Sequence, residues 1–397
     1  MNEPNLAEPE ERVLSPADGH PISEPWIVGI GASAGGLKAL QQFFQHMRSD
    51  SDLAFVIILH LSPEHESNLA GLLQYHTAMP VMQVTGATQV ECNHVYVIPP
   101  ASNLALADGT LRLSEPQRLH GQHVAIDLFF RTLAETHGSN AAAVVLSGTG
   151  SDGASGLKRV KEMGGVTFAQ DPQDAEYDSM PRNAIATGLV DYVLPAAAMP
   201  DQLLAYIGNA QKIRLPVADQ APVGDQAAAL REIFVLMRVR TGHDFSNYKR
   251  ATMLRRIGRR MQVHGIAEIG EYVATLRERP GEVEALLRDL LISVTNFFRD
   301  PDAFATLEAN LPRLFNNKQP GDYVRVWVAG CATGEEAYSV AMLLREYANR
   351  LDRPPEIQIF ATDIDEDAIA LAREGRYTEN ITADVSPERL MLFFNQE

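Results

Sequence analysis

The sequence predicts an α/β fold: a doubly wound parallel sheet, then a small helical module, then the start of a second, Rossmann-like α/β domain. Apolar segments such as LAFVIIL alternate with amphipathic segments between residues 25 and 210, which is typical of parallel strands covered by helices on both faces. Residues 226–310 have helical periodicity without a convincing strand. Alternation of strand and helix resumes at VRVWVAG, which indicates a second α/β unit.

The elements can be assigned in chain order. Buried strands are predicted for WIVGI, LAFVIIL and AAAVVLS, and helices for GLKALQQFFQHM, SPEHESNLAGLLQYH, HVAIDLFFRTLAETH and DGASGLKRVKEMGG. Short antiparallel strands are predicted for VYVIP and NLALADGTLRLSE, the second with a hairpin turn at Asp108 and Gly109. The first series ends with GVTFAQD, PRNAIATG, DYVL and MPDQLLAYIGNAQ. Near the end of the chain, VRVWVAG and EIQIFATDID predict strands on either side of a long helix that begins at Glu335.

Changes in composition divide the chain into five regions. We expect a disordered lead-in over 1–24, the first α/β domain over 25–210, a linker rich in Pro, Ala and Gly over 211–226, the helical module over 227–310, and a partial α/β domain over 311–397. Two strands and two helices cannot close a doubly wound sheet, so we expect the last domain to be truncated relative to its architecture.

Composition excludes several classes of protein. The 397 residues include 34 basic and 51 acidic side chains, a net charge of -17, which argues against bulk nucleic-acid binding. The two cysteines, Cys92 and Cys331, are far apart, so neither a disulfide framework nor a zinc site is expected. No apolar segment approaches the ~20 residues that span a bilayer, and the acidic N-terminus is not a signal peptide. We therefore predict a cytoplasmic protein without a metal site, a nucleic-acid partner or membrane insertion.

Three polar loops follow three strands of the predicted sheet: GASAGG, HLSPEH and GTGSDG. Parallel strands end at one edge, where ligands bind, so Ser33, His60 and Asp152 are expected to meet there. They supply a nucleophile, a general base and an acid that orients the base. Gly31 to Gly35 match the G-x-S-x-G elbow, and the amides that open the next helix could hold an oxyanion.

Other interpretations of these loops stay open. GIGASA also satisfies the dinucleotide-binding motif G-x-G-x-x-G/A. A dinucleotide site, however, normally has an acidic residue at the end of the second strand, and this sequence has His60 there. Ser33 and Asp152 could simply cap the helices that follow them. Asp171 and Asp178 are weaker candidates for the role of the acid.

A second candidate site follows VRVWVAG, where GCATGEE combines glycines with two acids. Asp363 ends the next strand, the position that holds a ribose in such folds. The glycine spacing is not that of an NAD site, and a ribose together with a cationic amine suggests S-adenosylmethionine. The alternative is that Glu335 and Glu336 only complement the dipole of their helix.

The helical module also contains a basic helix. Its cations recur mostly at spacings that predict one face, which we expect to dock an acidic protein helix, with a solvated basic face and RNA binding as the alternatives. These residues are Lys249, Arg250, Arg255, Arg256, Arg259 and Arg260.

Over residues 25–210, GIGASAGG, HLSP, LSGTGSDGASGLK and AQDPQDAEYDSMPRNAI resemble the catalytic domain of the chemotaxis protein-glutamate methylesterase family. The resemblance implies a doubly wound hydrolase domain that needs no cofactor. It hydrolyses glutamate methyl esters, and deamidates glutamines, on methyl-accepting chemoreceptors. The implied triad is Ser33, His60 and Asp152, with the backbone amides of Ala34 and Thr149 as oxyanion donors.

From about residue 228, HDFSNYKRATMLRRIGRRM, SVTNFFRDPDAF, GCATGEEAYSVA and ATDIDEDAIALAREGRY resemble the chemotaxis receptor methyltransferase family. The resemblance implies S-adenosylmethionine as cofactor, and receptor recognition by the basic helix. The implied cofactor contacts are Thr295, Arg299, Glu335 and Asp363. The cytoplasmic region of a chemoreceptor is the expected partner, with a sensory histidine kinase complex as a further one. An adaptor with an inactive transferase part and a nucleotide-dependent oxidoreductase remain the alternatives.

Overall fold

A computed structural model of the chain describes residues 25–59, 68–115, 124–210, 212–213, 215, 224–292, 295–377, 381–382 and 384–396. Within these ranges the chain forms a seven-stranded sheet, a three-stranded sheet and a two-stranded sheet. The predicted doubly wound parallel sheet, the helical module and the second α/β region are confirmed. The predicted lead-in over 1–24 lies outside the described residues, as does most of the predicted linker.

The strands of the seven-stranded sheet are β1 (Trp26–Ala32), β2 (Leu53–Leu59), β3 (Val81–Gln83), β5 (His94–Val97), β8 (Ala141–Val145), β9 (Val166–Gln170) and β10 (Tyr192–Leu194). Their order in the sheet is β10-β9-β8-β1-β2-β5-β3, and every pair of neighbouring strands is parallel. Its helices are α1 (Gly36–His46), α2 (Leu69–Gln74), α3 (Ala125–His137), α4 (Ala154–Glu162), α5 (Ser179–Ala186) and α6 (Met199–Ala210).

Alternate residues of the central strands enter two separate cores, one on each face of the sheet. Ile27 packs with residues of α3, α4 and α5, whereas Val28 and Ile30 pack with residues of α1, α2 and α6. Successive side chains of a strand point to opposite faces, so a strand that is apolar throughout supplies both cores. This explains why LAFVIIL has no polar interruption.

The three-stranded sheet contains β4 (Thr88–Gln89), β6 (Asn103–Ala107) and β7 (Thr110–Ser114). β6 and β7 form the predicted antiparallel hairpin, and Asp108 and Gly109 both have positive φ, as a two-residue turn requires. The prediction that VYVIP is antiparallel was wrong, because β5 pairs parallel with both β2 and β3. Although β5 is short, it is buried on both faces of the sheet, which is typical of a parallel strand.

The C-terminal half continues with helices around a separate apolar core, followed by two parallel strands. Its elements are α7 (Asp225–Thr241), α8 (Arg250–His264), α9 (Ile269–Glu278), α10 (Pro280–Leu291), α11 (Pro301–Phe315), β11 (Tyr323–Ala329), α12 (Glu335–Ala348), β12 (Glu356–Thr362), α13 (Glu366–Glu374) and α14 (Pro387–Phe393). Of the helices described, none is long and apolar enough to cross a membrane.

The basic helix α8 does not present all of its cations to a partner. Arg256, Arg259 and Arg260 are buried, so the prediction that they dock a receptor was wrong. Arg256 donates to the carbonyl oxygens of Lys161 and Glu162 in the first α/β domain, at 3.0 and 2.9 Å. Helical spacing of arginines predicts one face, but it does not say whether water or protein covers that face.

Lys249 and Arg255 are exposed, and Arg250 is half-buried. Arg260 binds Glu282 on α10, at 2.8 Å from Nε and 2.5 Å from Nη2. Burial opposes the charge of Glu282, but the hydrogen bonds from His264 and Arg260 lower its pKa to about 2. The ion pair between Arg260 and Glu282 therefore connects α8 to α10, and it occupies both carboxylate oxygens of Glu282.

Four buried charges join α8 and α10 to the first α/β domain, and we call them the interdomain ion cluster: Lys161, Asp191, Arg259 and Asp289. Lys161 Nζ lies 2.7 Å from Asp191 Oδ1 and 3.2 Å from Asp289 Oδ1. Arg259 binds both carboxylates as well, with Nη1 at 2.7 Å from Asp289 Oδ2 and Nη2 on Asp191. Burial alone would raise the pKa of Asp191, but Arg259 and Lys161 hold it below its usual range.

Replacing Asp191 by Asn is expected to lower the free energy of unfolding by about 3–5 kcal/mol, because two buried cations lose a counterion. Urea-induced unfolding followed by circular dichroism measures this change. Asp178→Asn is the matched control, since Asp178 and Arg182 form an exposed pair and its loss costs at most about 1 kcal/mol. Equal effects of the two substitutions would contradict a stabilising role for the interdomain ion cluster.

Candidate functional site

Ser33 lies at the edge of the large sheet, directly after β1. The end of β1 is tied to the end of β8: Leu146 N donates to Gly31 O at 2.9 Å, and Ser33 N donates to Ser147 O at 3.0 Å. The loop that contains Asp152 follows β8. The structure thus places Ser33 and the loop of Asp152 at the same sheet edge, as predicted from the strand order.

The glycines around Ser33 are needed for this turn. Gly35 has φ 72°, and a Cβ on it would lie 2.7 Å from Ser147 Oγ. A Cβ on Gly31 would lie 2.4 Å from Ile126 Cγ2 on α3. Only glycine fits at both positions, and Ser33 is left half-buried between them.

Asp152 is 8% exposed and its carboxylate is held by backbone amides. Oδ2 accepts from Ile126 N at 3.0 Å, and Oδ1 accepts from Asp127 N and Gly153 N, both at 2.9 Å. Two of these donors open α3 and the third precedes α4. These three amide donors fix the orientation of the carboxylate.

His60, the predicted general base, lies outside the described residues. The strand before it in the sequence ends at Leu59, which is the register partner of Ala32. Ser33 follows Ala32 in the sequence just as His60 follows Leu59. Because the structure does not describe His60 itself, its role as the general base stays a prediction.

The predicted oxyanion donors flank Ser33. Thr149 follows Gly148, and a Cβ on Gly148 would lie 2.9 Å from the Cβ of Ser33. In the described part of the chain, the backbone amides of Ala34 and Thr149 have no hydrogen-bond acceptor. Their role as oxyanion donors stays a prediction.

Ser147 was not singled out from the sequence, although it organises this edge. Its Oγ donates to Ala34 O at 2.9 Å and accepts from Tyr177 N at 2.9 Å. Asn183 Nδ2 donates to Gly150 O at 2.8 Å, so the DSMPRNAI segment supports the loop that leads to Asp152. Asp178, a weaker candidate for the acid that orients the base, instead forms an ion pair with Arg182 at the surface.

Asp127 is a second buried carboxylate beside Asp152, and it was not identified as a site residue from the sequence. Its Oδ1 accepts from Gly156 N at 2.6 Å, which joins α3 to α4. Burial, reinforced by the charge of Asp152, raises the pKa of Asp127 well above its ordinary value of 3.8. The only sequence signal was an acid inside the apolar segment HVAIDLFF.

A cavity of about 300 Å³ lies at the start of the second α/β region. Its described lining includes the predicted Thr295 and Arg299, and Gly330, Ala332 and Glu336 from the predicted GCATGEE segment. Glu162, Asn296 and Phe304 also line it and were not predicted as contacts. The volume is at the lower end of the range for small-molecule sites.

The other two predicted cofactor residues, Glu335 and Asp363, are not among the described residues that line this cavity. Glu335 begins α12 and precedes the lining residue Glu336, and Asp363 contacts the lining residue Ala332. Asp363 Oδ2 accepts from Ala332 N at 2.8 Å, and Glu335 Oε2 accepts from Thr333 Oγ1 at 2.6 Å. Burial raises the pKa of Glu335. These carboxylates, with the guanidinium of Arg299, suit a ligand that has hydroxyl, ammonium and carboxylate groups, as S-adenosylmethionine has.

Sheet, loops and cavity define a hydrolase-like α/β domain joined to a cofactor-binding α/β region. The family model of the CheB methylesterase matches residues 28–203. The model of the all-alpha domain of the CheR methyltransferase matches residues 228–291, and that of its SAM-binding domain matches residues 293–397. The chain belongs to the protein-glutamate methylesterase family and also carries CheR methyltransferase regions.

Among curated relatives, an uncharacterized 104.1 kDa protein of Rhodobacter capsulatus is 38% identical over 346 residues, which are 82% of this chain and 36% of that protein. A protein-glutamate methylesterase/protein-glutamine glutaminase of Photorhabdus laumondii is 30% identical over 49% of this chain and 56% of its own length. A putative enzyme of the same description from Leptospira interrogans is 33% identical over 42% of this chain and 86% of its own length.

The crystal structure of the Thermotoga maritima CheB methylesterase catalytic domain matches with 29% identity and a TM-score of 0.44, over 46% of this chain and 98% of that one. The chain spans between about a third and rather more than half of the length of the first two relatives above.

The contact between Asp127 and Gly156 can be tested by two substitutions. Asp127→Ala leaves the buried Gly156 amide without an acceptor and is expected to lower the free energy of unfolding by about 1–3 kcal/mol. Asp127→Asn keeps an acceptor and removes the ionisable group, so it should retain most of the stability. Urea unfolding measures both.

The pH dependence of the same variants tests the raised pKa. The folded protein holds the proton of Asp127 more tightly than the unfolded chain does, so this contribution to stability is lost as the pH rises above 3.8. The stability of the wild type relative to Asp127→Asn should therefore fall with increasing pH. Parallel curves for the two proteins would contradict the raised pKa.

Proposed function

We propose that the first α/β domain hydrolyses γ-methyl esters of glutamate side chains on methyl-accepting chemoreceptors. The observation that carries this proposal is the juxtaposition of Ser33 with the backbone amides of Ala34 and Thr149, which have no acceptor among the described residues, at the sheet edge that also holds the Asp152 loop. A serine that faces amide donors can form and stabilise a tetrahedral intermediate.

The reaction proceeds in two steps. Ser33 Oγ attacks the ester carbonyl, His60 takes the hydroxyl proton, and the amides of Ala34 and Thr149 bind the oxyanion. The C–O bond to the methoxy group breaks, and methanol leaves with the proton from His60. Water, deprotonated by His60, then attacks the acyl-enzyme and releases the glutamate carboxylate and Ser33. Asp152 orients the imidazole and stabilises its cation.

The same steps convert glutamine to glutamate when ammonia is the leaving group, so deamidation is part of the proposal. The helical module and the second α/β region would bind the receptor and S-adenosylmethionine. When bound, this cofactor supplies an electrophilic methyl group for esterification of the same glutamates. The cavity beside Thr295 and Arg299 is the proposed binding site. Lys249 and Arg255, which are exposed, remain candidates to contact the acidic receptor.

The proposal places the protein in the cytoplasm, where the receptor's methylated region and the sensory histidine kinase complex are also found. This location agrees with the two free cysteines, Cys92 and Cys331.

Ser33→Ala is expected to lower methanol release from a methylated receptor fragment at least about a thousandfold, because the nucleophile is lost while the fold is kept. The assay uses the full chain, and circular dichroism checks the fold. Ser114→Ala, at the exposed end of β7, is the matched control and should release methanol at the wild-type rate. Unchanged release by Ser33→Ala would end the assignment of the esterase.

A further inference from the structure

The proposed cofactor cavity has one wall from the hydrolase-like domain. Glu162, the last residue of α4, lines the cavity together with Thr295 and Arg299. Glu162 Oε1 lies 3.5 Å from Arg299 Nη2. Among the described lining residues, Arg299 is the only cation, whereas Glu336 is a second carboxylate. Arg299, the positive side chain among the described lining residues, therefore faces a carboxylate of the protein itself.

Glu162 is held in place from several sides. Its Oε2 pairs with Arg159 Nη1 one turn earlier on α4, and its carbonyl oxygen accepts from Arg256 Nη2 of α8 at 2.9 Å. The Glu162 side chain is 19% exposed, whereas that of Arg299 is 50% exposed. The carboxylate is thus the better fixed partner of the two, and its position depends on α4 and α8.

α3 makes a second contact between the hydrolase-like domain and the region of the cavity, through Arg131 and Asp384. Arg131 Nη1 lies 3.7 Å from Asp384 Oδ1, and Asn296 Nδ2, which belongs to the cavity lining, donates to that oxygen at 3.1 Å. Two helices of one domain therefore meet residues in and beside the cavity of the other. Glu162 is therefore one of several residues that form the contact between the two domains.

The cofactor's chemistry makes this contact significant. The amino-acid end of S-adenosylmethionine carries a carboxylate, and a guanidinium is the strongest side-chain partner for such a group. Arg299 can bind the ligand's carboxylate only if Glu162 withdraws or if two carboxylates share one guanidinium. Both alternatives have a free-energy cost, because either an ion pair is lost or like charges approach.

We propose that Glu162 competes with the carboxylate of the cofactor for Arg299, so that the hydrolase-like domain lowers the affinity of the methyl-donor cavity. This inference rests on the proposed function of the cavity. It adds a determinant of affinity that comes from a different domain, and it concerns only ligands that carry the carboxylate.

Isothermal titration calorimetry on the full chain tests the competition. The probes are S-adenosylmethionine, S-adenosylhomocysteine and 5′-methylthioadenosine, the last of which lacks the amino-acid end. Glu162→Gln removes the charge and keeps the shape. Glu135→Gln is the matched control, because Glu135 also pairs with Arg159, at 3.3 Å, but is not among the described residues that line the cavity.

The expected result is a Kd about two- to fivefold lower in Glu162→Gln for the two ligands with a carboxylate, the range for a partly exposed ion pair. The Kd for 5′-methylthioadenosine should not change, and Glu135→Gln should bind all three ligands like the wild type. In an Arg299→Gln background, Glu162→Gln should give no gain, since the contested cation is absent.

An equal or higher Kd in Glu162→Gln would overturn the competition, and a higher one would indicate that Glu162 binds the ligand's ammonium group. Binding of 5′-methylthioadenosine together with either result would leave the cavity assigned and remove only this inference. No binding of any probe would overturn both the cavity and the competition. Methanol release depends on Ser33 and is measured separately, so failure of the esterase is a distinct outcome.

Discussion

The interdomain ion cluster is the constraint on which the arrangement of the two halves depends. Lys161 and Arg259 each bind both Asp191 and Asp289 in the buried interior, so the loss of any one member leaves one charge of the cluster without compensation. An unpaired charge in a medium of low dielectric constant costs several kcal/mol. The cluster therefore fixes α4, which carries Lys161, against α8 and α10 of the helical module.

α4 links the two candidate sites. It begins just after Asp152, whose carboxylate accepts from Gly153 N, and it ends at Glu162 in the cofactor cavity. A helix of nine residues is about 13 Å long. α4 and its N-cap Gly153 thus contribute to both sites, with one of the three amides that hold the Asp152 carboxylate and with the charge beside Arg299.

The sequence predicted those features that depend on local pattern and strand order. Apolar segments of strand length placed the sheet, and the loops after β1 and β8 placed Ser33 and Asp152 at one edge. It failed where the outcome depends on partners remote in the chain. Arg259 meets Asp191 and Asp289, which are 68 and 30 residues away, and nothing in the spacing of the arginines announces acids at those distances.

Asp127 and Glu162 illustrate the two kinds of hidden residue. Asp127 left a trace, because an acid at a core position of an apolar helix has to be satisfied by a partner, and here that partner is the Gly156 amide. Glu162 left none, since a glutamate at the end of a basic, amphipathic helix fits a solvated surface equally well. Its role depends on where Arg256 and Arg299 bring the other half of the chain, and only the assembled interface contains that information.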